Sequence, residues 1–336
     1  MPRPTDEFEL AWNSLSSADT GAGWRAISLA GIGPLALKAG RIFPGNHEAL
    51  LISFPTAKWP AAEKLPEGRG FSVERASPGG DGLIWMSLAR KEHGSFEVFA
   101  AMASNLVAAL DGAWAAGADE PGLMRLFVGR VRAWQEFMRK GAGPLGAEAE
   151  IGLVGELALL TAIIDFGVPI SAAVEAWVGP LDGLQDFELG TGAIEVKSTV
   201  SAIGFTATIG SLQQLDDSVR QPLFVAAMRL VQRASGTRLS DAVQALRSKT
   251  AAQPEVLAML ADRLIAAGYV DAHATLYTRA FESSHEKLLL VGHAFPRLTS
   301  TTVPVGVSRA IYDIDLDKVP GPRLELAEAL KKLGAV

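Results

Sequence analysis

Across residues 24–92 the apolar positions come in short alternating runs, WRAISLA, PLALKAGRIF, EALLISF, GFSVERA and GLIWMSLAR, separated by Gly, Pro and Asn. Alternation with a period of two predicts half-buried strands, and the breaks between them predict an antiparallel sheet. From 95 to 140 the period lengthens to that of helices. FEVFAAMASNLVAALDGAWAAG and LMRLFVGRVRAWQEFMRKG are amphipathic and divided by AGADEPG. GAGPLG then reads as a linker to AEAEIGLVGELALLTAIIDFG, a long helix ended by Gly167 and Pro169.

Beyond that helix the stretch WVGPLDGLQDFELGTGAIEVKST, 177–199, predicts a strand, a turn through Gly190 and Gly192, and a second strand. In the second strand Ile194 and Val196 alternate with Glu195 and Lys197, so an apolar face and a charged face separate. The register that keeps the faces unmixed sets Asp186 opposite Glu195, Phe187 opposite Ile194 and Leu189 opposite Gly192. GFTATIG predicts a third strand, SLQQLDDSVRQ a helix capped by Ser211, and PLFVAAMRLVQ a strand buried on both faces. The order helix, strand, strand, strand, helix, strand over 148–233 predicts an α/β sandwich. Phe187, Ile194, Val196 and Val225 are expected inward, under the helix that carries Glu156. Residues 239–268 read as two helices, followed by the strand-like TLYTRAFES, KLLLVGHAF and AIYDIDL and a short charged helix. Four regions follow: a β-rich 1–94, a helical connector 95–146, the α/β core 147–235 and a C-terminal helical and strand extension 236–336.

Composition narrows the chemistry. The 336 residues are 49% hydrophobic and 20% charged, a balance that folds rather than stays disordered. With no cysteine, disulfides and thiolate-held zinc or iron–sulfur clusters are excluded. The five histidines are scattered without HxH or HExxH spacing, so a histidine-built metal site is not expected. No GxxxxGK[ST] loop points to nucleotide chemistry. The N-terminal MPRPTDEFELAWNSL lacks the apolar core of an export signal, and no run of eighteen apolar residues follows, so a soluble, cytoplasmic protein without a membrane partner is expected. A net charge of −6 argues against a broadly basic surface and leaves room for a local basic groove.

The candidate chemistry lies in the central hairpin. Asp186, Glu195 and Lys197 converge on one side of it, and paired carboxylates bind a hard divalent cation such as Mg²⁺ through oxygen. A lysine beside them can orient a water or offset developing charge; the bland alternative is a solvated strand face. Glu156 sits among Leu153, Val154, Leu157 and Leu159, where a buried acid is costly, so it should face solvent or a ligand. Gly152 and Gly155 flank it and allow close approach of another backbone. Glu148 and Glu150 read as ordinary first-turn acids. Farther upstream Arg125, Arg132 and Arg139, seven apart, share one helix face near Arg130 and Lys140, either a solvated face or a phosphate-contacting stripe. Trp24, Trp59 and Trp85 read as core aromatics rather than base-stacking ones.

Glu156 in GLVGEL, Asp186 in QDFEL, and Glu195 with Lys197 in IEVKST resemble the PD-(D/E)XK nuclease superfamily. GLVGEL, WVGP, DFEL and IEVKST together resemble the uncharacterised bacterial family of PD-(D/E)XK motif proteins. The resemblance implies a restriction-endonuclease-like αβββαβ core within an α+β chain. It implies a Mg²⁺-dependent DNA endonuclease, with Mn²⁺ as a substitute, in a bacterial restriction or phage-defence system. By that resemblance Asp186 is the principal metal ligand, Glu195 the second, Val196 a ligand through its carbonyl, Glu156 the helix acid that orients metal or water, and Lys197 the group beside the attacking water. Ser198 and Gln213 or Gln214 would contact substrate phosphate. The literal proline before the first aspartate is absent, since Gln185 precedes Asp186, and the rival Asp182 falls before the strand. Partners so implied are DNA, defence-system proteins and a second copy of the chain. A non-catalytic DNA-binding or assembly subunit on the same fold is the alternative.

Overall fold

The computed structural model describes residues 7–16, 21–56, 65–68, 70–78, 83, 85–139, 141 and 143–336, with the backbone alone for 284–286. Trp59 and Lys140 lie outside the described residues. The chain divides into two compact units, one of 1–143 with 270–272 and the other of 144–269 with 273–336.

The first unit contains α1 (Glu7–Ser14), β1 (Gly23–Ile32), β2 (Leu35–Phe43), β3 (His47–Ser53), β4 (Phe71–Ala76), β5 (Trp85–Arg90), α2 (Phe96–Ala115) and α3 (Glu120–Arg139). Its strands pair antiparallel in the order β1-β2-β3-β5-β4, as the alternating runs predict. α2 is capped by Ser95, whose side chain accepts the Val98 N–H. Its long apolar face, Phe99, Met102, Leu106 and Leu110, is buried within the unit. Trp85 is buried, with Lys38 Nζ over its ring at 4.2 Å, so it packs the sheet.

The second unit contains α4 (Ala147–Asp165), α5 (Ile170–Ala176), β6 (Phe187–Leu189), β7 (Gly192–Thr199), β8 (Thr206–Ile209), β9 (Leu223–Arg238), α6 (Leu239–Thr250), α7 (Pro254–Ala266), β10 (Ala280–Val291), β11 (Tyr312–Asp315), β12 (Arg323–Leu324) and α8 (Leu326–Leu333). Its main sheet runs β12-β10-β9-β7-β6, with β7 parallel to β9 and the other neighbours antiparallel. The C-terminal segment supplies two of these strands, so the sheet is built across the boundary drawn at 235.

Both faces of the sheet are covered. On one, Phe187, Ile194, Val196, Phe224, Ala226 and Met228 pack with Leu153, Leu157, Leu160 and Ile163 of α4 and with apolar residues of α5 to α8. On the other, Ala193, Val225, Leu289 and Val291 pack with Phe205, Ala207, Ile209, Ile314 and Leu316, from β8, β11 and the loops beside them. Val225 is thus corrected to the face opposite Ile194, because its parallel partner is Glu195. Double coverage also buries all of 192–196, Glu195 included.

The β6–β7 register is Phe187 with Ile194, Glu188 with Ala193 and Leu189 with Gly192, the register that keeps the apolar side chains together. Two elements differ from the αβββαβ reading. β8 leaves the main sheet to pair with β11, and 210–222 forms turns rather than a helix. In that segment Ser211 Oγ accepts the Gln214 N–H and Asp216 accepts the Ser218 N–H, local bonds that compete with helix formation. Helix α6 comes instead after β9 and packs against α4.

Candidate functional site

Glu156 projects from the middle of α4. Its neighbour Gly155 lies against Ser198 of β7, where a Cβ would overlap the Ser198 hydroxyl. The missing side chain lets helix and strand close up, whereas Gly152 faces open space. The contact decides the place of Ser198 as well. Its Oγ is buried without a hydrogen-bond partner, turned to the helix and away from where a phosphate could reach it.

Asp186 stands just before β6, where that strand parts from β7. Its Oδ2 accepts the Val196 N–H at 2.6 Å, which brings the carboxylate against the backbone of the residue after Glu195. Glu195 and Lys197 point to the same side of β7, and Lys197 Nζ lies 2.8 Å from Glu195 Oε1. Gln214 Nε2 donates to the same oxygen at 2.5 Å, while Gln214 Oε1 accepts the Gly210 N–H at 2.8 Å. Sequence reasoning set Gln213 or Gln214 on phosphate; the structure turns Gln214 onto Glu195 and leaves Gln213 exposed. Glu156 Oε2 accepts the Trp177 indole N–H at 2.7 Å.

The electrostatics follow from crowding three acids in a poorly hydrated place. Burial, then the Asp186 charge, pushes Glu156 up to about 8, against the lowering effect of the Trp177 N–H. Burial raises Asp186, opposed by the Val196 N–H and Lys197. Burial, then the Asp186 charge, holds Glu195 well above the carboxylate range, opposed by Lys197. Glu156, Asp186 and Glu195 thus share one field, offset by Lys197.

That donor set suits a hard divalent cation: oxygens only, with negative charge in excess of the one lysine. Glu156, Asp186, Glu195 and the Val196 carbonyl are the groups that would hold it. As they stand each carboxylate is engaged by an internal donor, and among the described residues no three acids or histidines are already gathered as a ligand shell.

The chain belongs to the family described as "Putative PD-(D/E)XK family member, (DUF4420)". That family's model matches residues 8–317, so the kinship spans both units. No curated protein and no solved structure matches the chain. A mixed α/β fold and a nuclease-like superfamily follow from this membership, and nucleases of the superfamily typically use divalent metals.

Other expectations lie away from the acids. Asp182 is exposed, in the left-handed region at φ 60°, outside β6. Glu150 is not a plain first-turn acid: it is buried and paired to Arg279 at 2.6 Å. Arg125, Arg132 and Arg139 do share the exposed face of α3, in the first unit, and Arg139 is paired to Glu136. Two residues near the site were missed. Gln185 is buried with its Nε2 directed at the Gln213 and Gln214 carbonyls, and Arg263 of α7 donates from Nε to the Trp177 carbonyl at 2.6 Å. Gln185 adjoins Asp186, the one available signal; nothing local marks Arg263, 86 residues from its partner.

Proposed function

We propose that the protein is a Mg²⁺-dependent DNA endonuclease that hydrolyses phosphodiester bonds, acting in the cytoplasm within a bacterial restriction or phage-defence system. The observation that carries this reading is the crowding of half-buried Glu156 and Asp186 with buried Glu195 beside Lys197, an arrangement that costs stability unless a cation offsets it. When bound, the cation supplies a water of lowered pKa and offsets charge on the phosphate. Asp186 and Glu195 would hold it, together with the Val196 carbonyl. Glu156, one oxygen held by the Trp177 N–H, would orient the cation or its water with the other. Lys197, beside Glu195, would orient that water and donate to the developing negative charge. Gln213 is a further phosphate contact, the arginine face of α3 is a DNA-binding surface of the first unit, and cutting of both strands calls for a second copy.

The test is purified protein with supercoiled, linear and single-stranded DNA in Mg²⁺, Mn²⁺ or EDTA. Cleavage is expected with either metal and not with EDTA, is lost in Asp186→Asn and Glu195→Gln, and falls on the order of a hundredfold or more in Lys197→Ala. Replacing Arg125, Arg132 and Arg139 together should weaken DNA binding alike across sequences and flatten its salt dependence. The internal donors already on each carboxylate favour a second reading, a non-catalytic DNA-binding or assembly subunit. DNA binding with neither Mg²⁺ stabilisation nor cleavage, partner proteins included, would decide for it.

A further inference from the structure

The WVGP segment, 177–180, contributes no acid to the site, yet it touches two of them. Trp177, fully buried, directs its indole N–H to Glu156 Oε2 at 2.7 Å. The next two residues, Val178 and Gly179, both donate their N–H groups to the Asp186 carbonyl, at 2.9 and 3.0 Å. Gly179 presses so close that a Cβ there would lie 2.6 Å from Asp186 Oδ1 and 3.0 Å from its Cα. The segment is itself clamped from behind. Arg263, buried in α7, donates from Nε to the Trp177 carbonyl at 2.6 Å and from Nη2 to the Glu175 carbonyl at 2.9 Å. Pro180 then turns the chain away in a 3-10 turn over Gly179–Leu181.

Glu156 and Asp186 come from different elements, the middle of a helix and the start of an edge strand, and no direct bond joins them in this structure. Their spacing is set by a third piece of chain that grips both. We propose that Trp177 and Gly179 are positioning residues which hold Glu156 and Asp186 in place to receive a divalent cation, with Arg263 anchoring them from α7. This rests on the metal-dependent reading above. The tryptophan acts through its single N–H, the glycine through its backbone N–H and its lack of a side chain; neither touches substrate. Groups of this kind, bonded to a ligand rather than to the metal, typically carry a 10–100-fold share of metal affinity.

Mn²⁺ affinity of the full chain, read from the electron paramagnetic resonance signal of free Mn²⁺, tests this without relying on cleavage. Trp177→Phe keeps the ring and removes the N–H. It should weaken Mn²⁺ binding about 10- to 100-fold while the metal-free circular dichroism stays that of the wild type. In a Glu156→Gln background the same change should have no further effect, to within about twofold, because its partner is gone. Gly179→Ala should weaken Mn²⁺ binding comparably by displacing Asp186, and it carries the test alone if Trp177→Phe does not fold. Wild-type affinity in Trp177→Phe, a full independent loss in the double variant, or wild-type affinity in Gly179→Ala would each overturn the proposal. Absence of Mn²⁺ binding by the wild type would instead remove the metal-dependent reading on which it rests.

Discussion

At the scale of single residues, the acids of the site work against the fold that holds them. Asp186 and Glu195 are both raised by burial, and Glu195 by the Asp186 charge as well. Removing one charge relieves the other. Asp186→Asn and Glu195→Gln should therefore raise the metal-free melting temperature while abolishing any rise on adding Mg²⁺; differential scanning fluorimetry with and without EDTA checks both. Lys197→Ala takes away the ammonium 2.8 Å from Glu195 and should do the reverse: lower the metal-free melting temperature and leave a Mg²⁺-induced rise intact. Asp186 was legible because a strand register is set by the apolar pattern, and a one-residue slip would have turned its neighbours outward. Ser198 was not, since alternation put it on the helix side without revealing that Gly155 would seal it there.

At the scale of elements, the close approach of α4 to β7 sets Glu156 beside the hairpin. Gly155→Ala should separate them at a cost of about 1–3 kcal/mol, the usual penalty for overpacking, and should lower Mg²⁺ affinity by moving Glu156. Ser198→Ala, which removes a buried hydroxyl without a partner, should be neutral or stabilising in denaturant unfolding and should partly rescue Gly155→Ala. The 210–222 segment shows where local pattern misleads. Its spacing of Leu212 and Leu215 suits a helix, yet both are buried from a chain of turns, with Ser211 and Asp216 capping backbone groups and Arg297 holding the Leu215 carbonyl. The turns bring Gln214 onto Glu195, a contact that a helical reading of the segment does not foresee.

At the scale of the whole molecule, the crowded acids make stability depend on pH and metal together. Glu156 is lifted from 4.5 to about 8, so the folded chain keeps a proton that the unfolded chain has released. The stability this proton supports is present below about 4.5 and is lost as pH rises toward about 8. Without metal, unfolding free energy should fall across that window, on the order of a few kcal/mol, and Glu156→Gln should flatten the slope. Excess Mg²⁺ should reverse it, since the cation binds the deprotonated form. All of the acids, their donors and the sheet beneath them lie in the second unit, so 144–336 expressed alone should unfold cooperatively and keep its Mg²⁺ response. The sequence by itself determined the strand runs of the first unit, the helix carrying Glu156, the register of β6 with β7 and the convergence of Asp186, Glu195 and Lys197. These depend on periods of two and 3.6 that are written locally. Only the tertiary structure decided that β8 leaves the main sheet, that the C-terminal strands complete it, that Val225 faces away from Ile194, that Trp177 reaches Glu156, and that Arg263 holds the Trp177 carbonyl. Those outcomes come from pairing and packing between segments far apart in the chain, where the identity of the partner is set by what else needs covering and no local pattern records it.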